Sequence, residues 1–310
     1  MKGFRRWQPP PKRVRRIKSV ELERGRVTDI ALYKRRTQDL LKYHWEYYSE
    51  LAYQRSEIID RLRLALANNT TRGYSFEQWQ RAVKYKFALD PLSLRGSLGD
   101  PGGRFNIGDI DRLRFAPFPA LYLACDKDTA LQELLGQGHY DSVEGFSPLE
   151  MALTKSESIS VVETRGELDQ IFDLNDAAKL NEFVDLIKGF KLSKSLREKA
   201  EALHIPHYRI VSTVGELSQS VLAPNWQEWP MLFDIPSNSQ IFGQIMMSAG
   251  VQGILYPSKM TKKPCLAIYP ETFKNSSSYV ELQGDLPNPG VAKRMDSQTW
   301  EQFAGLRVIR

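Results

Sequence analysis

Apolar and polar positions along the chain change period from one stretch to the next, and the periods predict the elements. From about Thr28 to Asn68 the apolar and aromatic residues Leu40, Tyr43, Trp45, Tyr48, Leu51, Ile58, Leu62 and Leu66 recur at helical spacing. Thr28-Asp29 caps the start, and the Asn68–Thr71 cluster with Gly73 stops it. One long helix and two helices with a break fit this pattern equally. Ser75 then caps a predicted short helix from Phe76 to about Val83, and Lys84–Leu89 alternates as a strand until Asp90-Pro91 breaks it. Ala120–Cys125 reads as a buried strand, followed by a helix through Thr129–Leu135 that Asp126 or Asp128 caps. Strands are predicted at Met151–Leu153 and Ile159–Glu163, and helices at Asn175–Lys188 and Ser195–Leu203. A helix from Ile241 to Ala249 follows the capping stretch Ser237–Gln240 and ends at Gly250. Gly253–Ser258 and Pro264–Tyr269 read as central strands. The polar remainder ends in an amphipathic segment (Trp300, Phe303, Leu306) expected to pack locally.

Helices and strands interleaved in this way predict an α+β protein. Its 310 residues, 42% hydrophobic and 26% charged, are ordinary for one or two globular domains. No run approaches the roughly 18 apolar residues that span a bilayer. The first residues have no apolar stretch of the kind an export signal carries, so no membrane association and a cytoplasmic location are expected. Charge is uneven. Residues 1–26 carry ten Lys/Arg against Glu21 and Glu23, net +8; the whole chain is +6, which leaves −2 for the rest. Such a basic arm, made extended by Pro9-Pro10-Pro11, suits nucleic acid or an acidic partner as well as it suits water. Cys125 and Cys265 lie far apart in apolar runs and read as reduced core residues. His204 and His207 have no cysteine or acidic partner at ligand spacing, so no metal is expected.

The chemistry concentrates around Gly102-Gly103-Arg104-Phe105-Asn106-Ile107-Gly108. Glycines let a backbone come close to a ligand, and an Arg fork pairs with phosphate; the same loop also reads as a turn whose Arg caps a carbonyl. Glu133 stands on the first turns of the helix that follows Tyr122's strand. It is either a surface carboxylate or one placed to stabilise a cationic transition state. Tyr122 is a core ring or a face on which a cationic ring stacks. Ser237 is a helix cap or a ligand hydroxyl.

Five pieces in order resemble the RES domain, the toxin component of RES–Xre toxin–antitoxin pairs. They are Gly102 to Asn106, Leu121 to Ala124, Ala130 to Glu133, Ser237 with Gln240 to Gly243, and Gly253 to Ser258. The resemblance implies an ADP-ribosyltransferase-like mixed sheet flanked by helices. It also implies an activity that cleaves the nicotinamide–ribose bond of NAD by hydrolysis, phosphorolysis or ADP-ribosyl transfer. Carried over, Glu133 and Ser237 are catalytic, with Ser239 a near alternative to the serine. Lys86, Gly102, Gly103, Arg104, Asn106 and Tyr122 bind NAD. The family's first Arg follows a Tyr; here Tyr85 is followed by Lys86, a point charge rather than a fork, with Arg95 as a possible substitute from the loop. An Xre-type antitoxin is the implied partner. The chain is accordingly divided into a basic arm (1–25), a helical extension (26–75), the RES domain (76–275) and a tail packing locally (276–310). A second reading is a binding module weakened in catalysis by Lys86, using its arm to hold nucleic acid or an acidic partner.

Overall fold

The computed structural model describes residues 27–135, 159–205, 210–284 and 290–305, without the side chains of 27–33. The basic arm, the strand expected at Met151–Leu153, His207 and Leu306 lie outside the described residues.

The helical extension is two helices, α1 (Val27–Glu57) and α2 (Ile59–Asn68), broken at Ile58; α1 begins at Val27, so Thr28 lies within it rather than capping it. The aromatic stripe of α1 is a packing seam. Trp45 stacks on Phe115 with ring centres 5.9 Å apart, and His44 lies 4.1 Å from the ring of Phe233. Burial among these rings pulls the His44 imidazole down to about 4.

Next comes β1 (Thr71–Lys84), which corrects the helix expected over Phe76–Val83. Its partner is β5 (Ile159–Asp173), far away in sequence. A register shift between Phe76 and Trp79, with Gln78 at φ 57°, inserts one residue into the alternation. The aromatic spacing thereby becomes three, which imitates one helical turn. The strand expected over Lys84–Leu89 is instead a 3-10 turn at Tyr85–Phe87. The domain boundary expected at 75/76 therefore falls inside a strand.

The remaining elements are β2 (Gly102–Gly103), β3 (Asn106–Ile107), β4 (Leu121–Ala124), α3 (Lys127–Leu135), α4 (Asn181–Ile187), α5 (Lys194–Ala202), α6 (Val214–Val221), α7 (Glu228–Phe233), α8 (Asn238–Ser248), β6 (Gly253–Pro257), β7 (Pro264–Ile268), β8 (Tyr279–Leu282), β9 (Arg294–Asp296) and α9 (Trp300–Ala304). Among the described residues seven strands form a mixed sheet in the order β1-β4-β7-β6-β5-β8-β9, and β1 also pairs with β5, so five strands form a closed circuit. Only β5 and β6 run parallel among the described residues. The expected central strands β6 and β7 do lie in the middle. The C-terminal residues do more than pack locally: they add β8 and β9 to the sheet and bury Trp300 and Phe303 against it.

Both faces of the central strands are buried, which is why they read as continuous apolar runs. Along β7, Cys265 and Ala267 face a core covered by α2, α4, α6 and α8, while Leu266 and Ile268 face the core that α9 closes. The first of these faces also carries Tyr122, Phe105 and Tyr256. Among the described residues no helix is long and apolar enough to cross a membrane.

Candidate functional site

Strands β2 and β3 form a two-stranded ribbon with Arg104 and Phe105 between them. Gly102 has φ +94°, and a Cβ there would lie 2.4 Å from the amide nitrogen of Gly108, so the turn requires glycine. The ribbon is tied down from three sides. Tyr122 Oη accepts the Phe105 N–H (2.9 Å) and donates to Asn106 Oδ1 (2.9 Å). Asn106 Oδ1 also accepts the Gly103 N–H, and Nδ2 donates to the Ser97 and Phe118 carbonyls at 2.7 and 3.0 Å. From α8, Gln240 Nε2 donates to the Pro101 carbonyl at 2.8 Å and lies 3.1 Å from that of Asn106. Tyr269 Oη donates to the Phe105 carbonyl at 2.8 Å.

These ties leave Arg104 6% exposed, with Nη1 donating to the Ala223 carbonyl at 3.0 Å. Among the described residues no carboxylate pairs with it. A buried guanidinium without a counter-charge suits an anion.

Glu133 stands on α3, whose first turn is capped by Asp126 accepting the Thr129 N–H at 2.8 Å. Its carboxylate is half-buried, not in open solvent. Oε1 accepts the Ser258 hydroxyl at 2.5 Å and the Lys259 N–H at 3.2 Å. Arg104 and Glu133 act on the same pair of buried groups. Tyr256 and Cys265 are cross-strand neighbours on β6 and β7. Burial pushes the Tyr256 hydroxyl and the Cys265 thiol well up; Glu133's charge adds to both rises, and Arg104's opposes both. The cation and the carboxylate thus act with opposite sign on the same two groups; Arg104 also opposes the rise that burial gives the Tyr122 hydroxyl.

The other expected site residues sit as follows. Asn106 is fully buried with both amide atoms engaged inside the loop. Ser237 caps α8 in a reciprocal capping box with Gln240, and its Oγ lies 3.0 Å from that of Ser239. Lys86 is exposed, with its ammonium 5.2 Å from the ring centre of Phe87, and no described contact joins it to the Arg104 ribbon. Arg95 is exposed beside Gly305, near the end of α9. A half-buried cation of this region is Arg81, which donates to the Ser93 carbonyl at 2.6 Å. Burial lowers it to about 10, with Asp90 opposing. Arg81 alternates with Ala82, a residue of the Tyr122 side, and so belongs to the other face of β1.

Sequence reasoning missed Tyr256, Tyr269 and the bracing role of Gln240, and carried Ser258 only as the end of a motif. The one available signal was the motif Gly253–Ser258 itself, which brings a tyrosine and a serine to the end of a central strand. Among the described residues no group of three or more His, Cys, Asp or Glu could hold a metal ion. An open, shallow pocket lined by Phe190, Lys191, Leu192, Arg197 and Ile210 includes none of the site residues.

The family model described as RES domain matches residues 78–287. No curated protein matches the chain. Among solved structures, the crystal structure of the M. tuberculosis MbcT–MbcA toxin–antitoxin complex is similar at a TM-score of 0.40 and 15% identity, covering 72% of this chain and 90% of that one. A likeness at that level carries no argument about this chain.

Proposed function

The chain belongs to the RES domain family, and from that premise we propose that it consumes NAD by cleaving the nicotinamide–ribose bond between Arg104 and Glu133. The observation that carries the reading is a buried guanidinium that no described carboxylate pairs with, and a half-buried carboxylate, both acting on Tyr256 and Cys265. Arg104 meets the diphosphate, and the glycines on either side allow the approach. Glu133 faces the ribose. As nicotinamide leaves with the bonding electron pair, positive charge grows on the ribose carbon, and the carboxylate stabilises it. With water as acceptor, its oxygen bonds to that carbon and a proton passes to solvent, giving ADP-ribose, nicotinamide and H⁺. With phosphate or a protein side chain, that nucleophile takes the place of water.

Tyr122 acts through its ring on this reading, because its hydroxyl is occupied by the ribbon. Ser237 and Asn106 contribute by holding α8 and the loop in place. A partner that covers the site would hold such an enzyme in check, and the resemblance names an Xre-type protein for that role.

The test is incubation of the purified protein with NAD, with and without phosphate, followed by product identification by mass. Nicotinamide release with ADP-ribose, its phosphorylated form, or a mass gain on protein supports the reading and identifies the acceptor. Intact NAD under all conditions overturns it.

A further inference from the structure

Ser258 is fully buried and opens the turn between β6 and β7. Its N–H donates to the Lys263 carbonyl at 2.8 Å, and its own carbonyl accepts the Lys262 N–H at 3.1 Å. Its Oγ lies 3.1 Å from the amide of Met260 and 3.2 Å from that of Thr261, accepting from both. A hydroxyl has one proton and two lone pairs. With the lone pairs committed to backbone, only the proton remains, and it goes to Glu133 Oε1 at 2.5 Å. The Lys259 N–H reaches that same oxygen. Among the described residues Oε2 takes no hydrogen bond.

The same turn is fastened to α3 by two further contacts. Thr129 and Thr261 meet through their hydroxyls at 3.0 Å, and Lys263 pairs with Asp126 at 2.9 Å. The serine's direction is thus set by backbone amides, and the carboxylate's direction is set by the serine. We propose that Ser258 is a positioning residue that occupies one oxygen of Glu133 and so presents the other to the ribose. This inference rests on the reading of Glu133 as the catalytic carboxylate.

The test compares Ser258→Ala and Ser258→Cys with wild type by crystal structure and by NAD turnover per folded protein. In Ser258→Ala the Glu133 side chain is expected in more than one rotamer. The expected loss in kcat is about tenfold to hundredfold, with KM within about twofold, as for a displaced reacting group. Ser258→Cys, nearly the same shape with a poorer donor, is expected in between, and it carries the comparison alone if Ser258→Ala does not fold. A single wild-type rotamer for Glu133 in the variants, or unchanged kcat, overturns the proposal. Glu133→Ala separates the two failures. If that variant still turns over NAD at the wild-type rate, the reading of the site fails. If it is inactive while Ser258→Ala is wild-type, only the role of Ser258 fails.

Discussion

The ribbon that carries Arg104 and the helix that carries Glu133 both act electrostatically on the buried Tyr256–Cys265 pair, yet they are held in unlike ways. The ribbon is tied by Tyr122 from β4, Gln240 from α8, Tyr269 after β7, and Asn106 from within. Helix α3 is fastened at its first turn by Asp126 and Thr129, and further along by the bond from Ser258 to Glu133. Many hydrogen bonds to backbone fix the ribbon that carries the cation. The carboxylate depends on two contacts, the Ser258 hydroxyl and the Lys259 N–H, so small changes there reach it directly.

The largest expected effect breaks the ribbon side. A Cβ on Gly243 would lie 2.0 Å from the Phe105 carbonyl oxygen and 2.8 Å from the Tyr269 hydroxyl. Gly243→Ala is expected to cost about 3 kcal/mol of unfolding free energy, measured by urea denaturation. A cost below about 0.5 kcal/mol would mean that α8 does not clamp the loop. Tyr122→Phe removes one hydroxyl that makes two bonds, leaving the buried Phe105 N–H unpaired. The expected cost is about 1–2 kcal/mol in the same assay, with the sheet intact.

On the other side, Asp126 is held down to about 2: partial burial works to raise it, and bonds from Lys263 and from the Thr129 amide and hydroxyl overcome that. A carboxyl depressed in the folded state stabilises it above its unfolded value, and that contribution is lost as pH falls. The difference in melting temperature between wild type and Asp126→Asn should therefore be present at pH 7 and shrink between about pH 4 and pH 2. A difference that stays constant across that window would remove the charge from the account of α3. The smallest effect belongs to Lys86, which is exposed and which no described contact joins to Arg104 or Glu133. Lys86→Ala should leave NAD affinity within about 0.5 kcal/mol of wild type by calorimetry. A larger loss would place a third charged group at the ligand.

How much of this the sequence carries differs between the same two sides and the strands behind them. The segments around β4, α3, α8, β6 and β7 were readable because their apolar runs and caps are local: Asp126, the Ser237–Gln240 capping box and Gly250 at φ 81° act within a few residues of themselves. Strand β1 was not, because its bulge at Gln78 gives Phe76, Trp79 and Val83 helical spacing while its partner lies some 80 residues on. The C-terminal strands were hidden for the same reason, since β8 pairs with β5 across the chain. Glu133 and Arg104 could be named from their motifs. That Asn106 would spend its whole amide inside the loop, or that Ser258 would aim at Glu133, depends on contacts across long sequence separations, and residue spacing carries no trace of these.

The most direct test of two walls enclosing one dinucleotide is NAD binding by calorimetry together with turnover, for Arg104→Lys and Glu133→Gln. Replacing the guanidinium fork by a point charge should weaken binding by about tenfold or more. Glu133→Gln should bind NAD within a few-fold of wild type while turnover falls by about 10²–10³. Wild-type affinity in Arg104→Lys, or wild-type turnover in Glu133→Gln, would contradict the account.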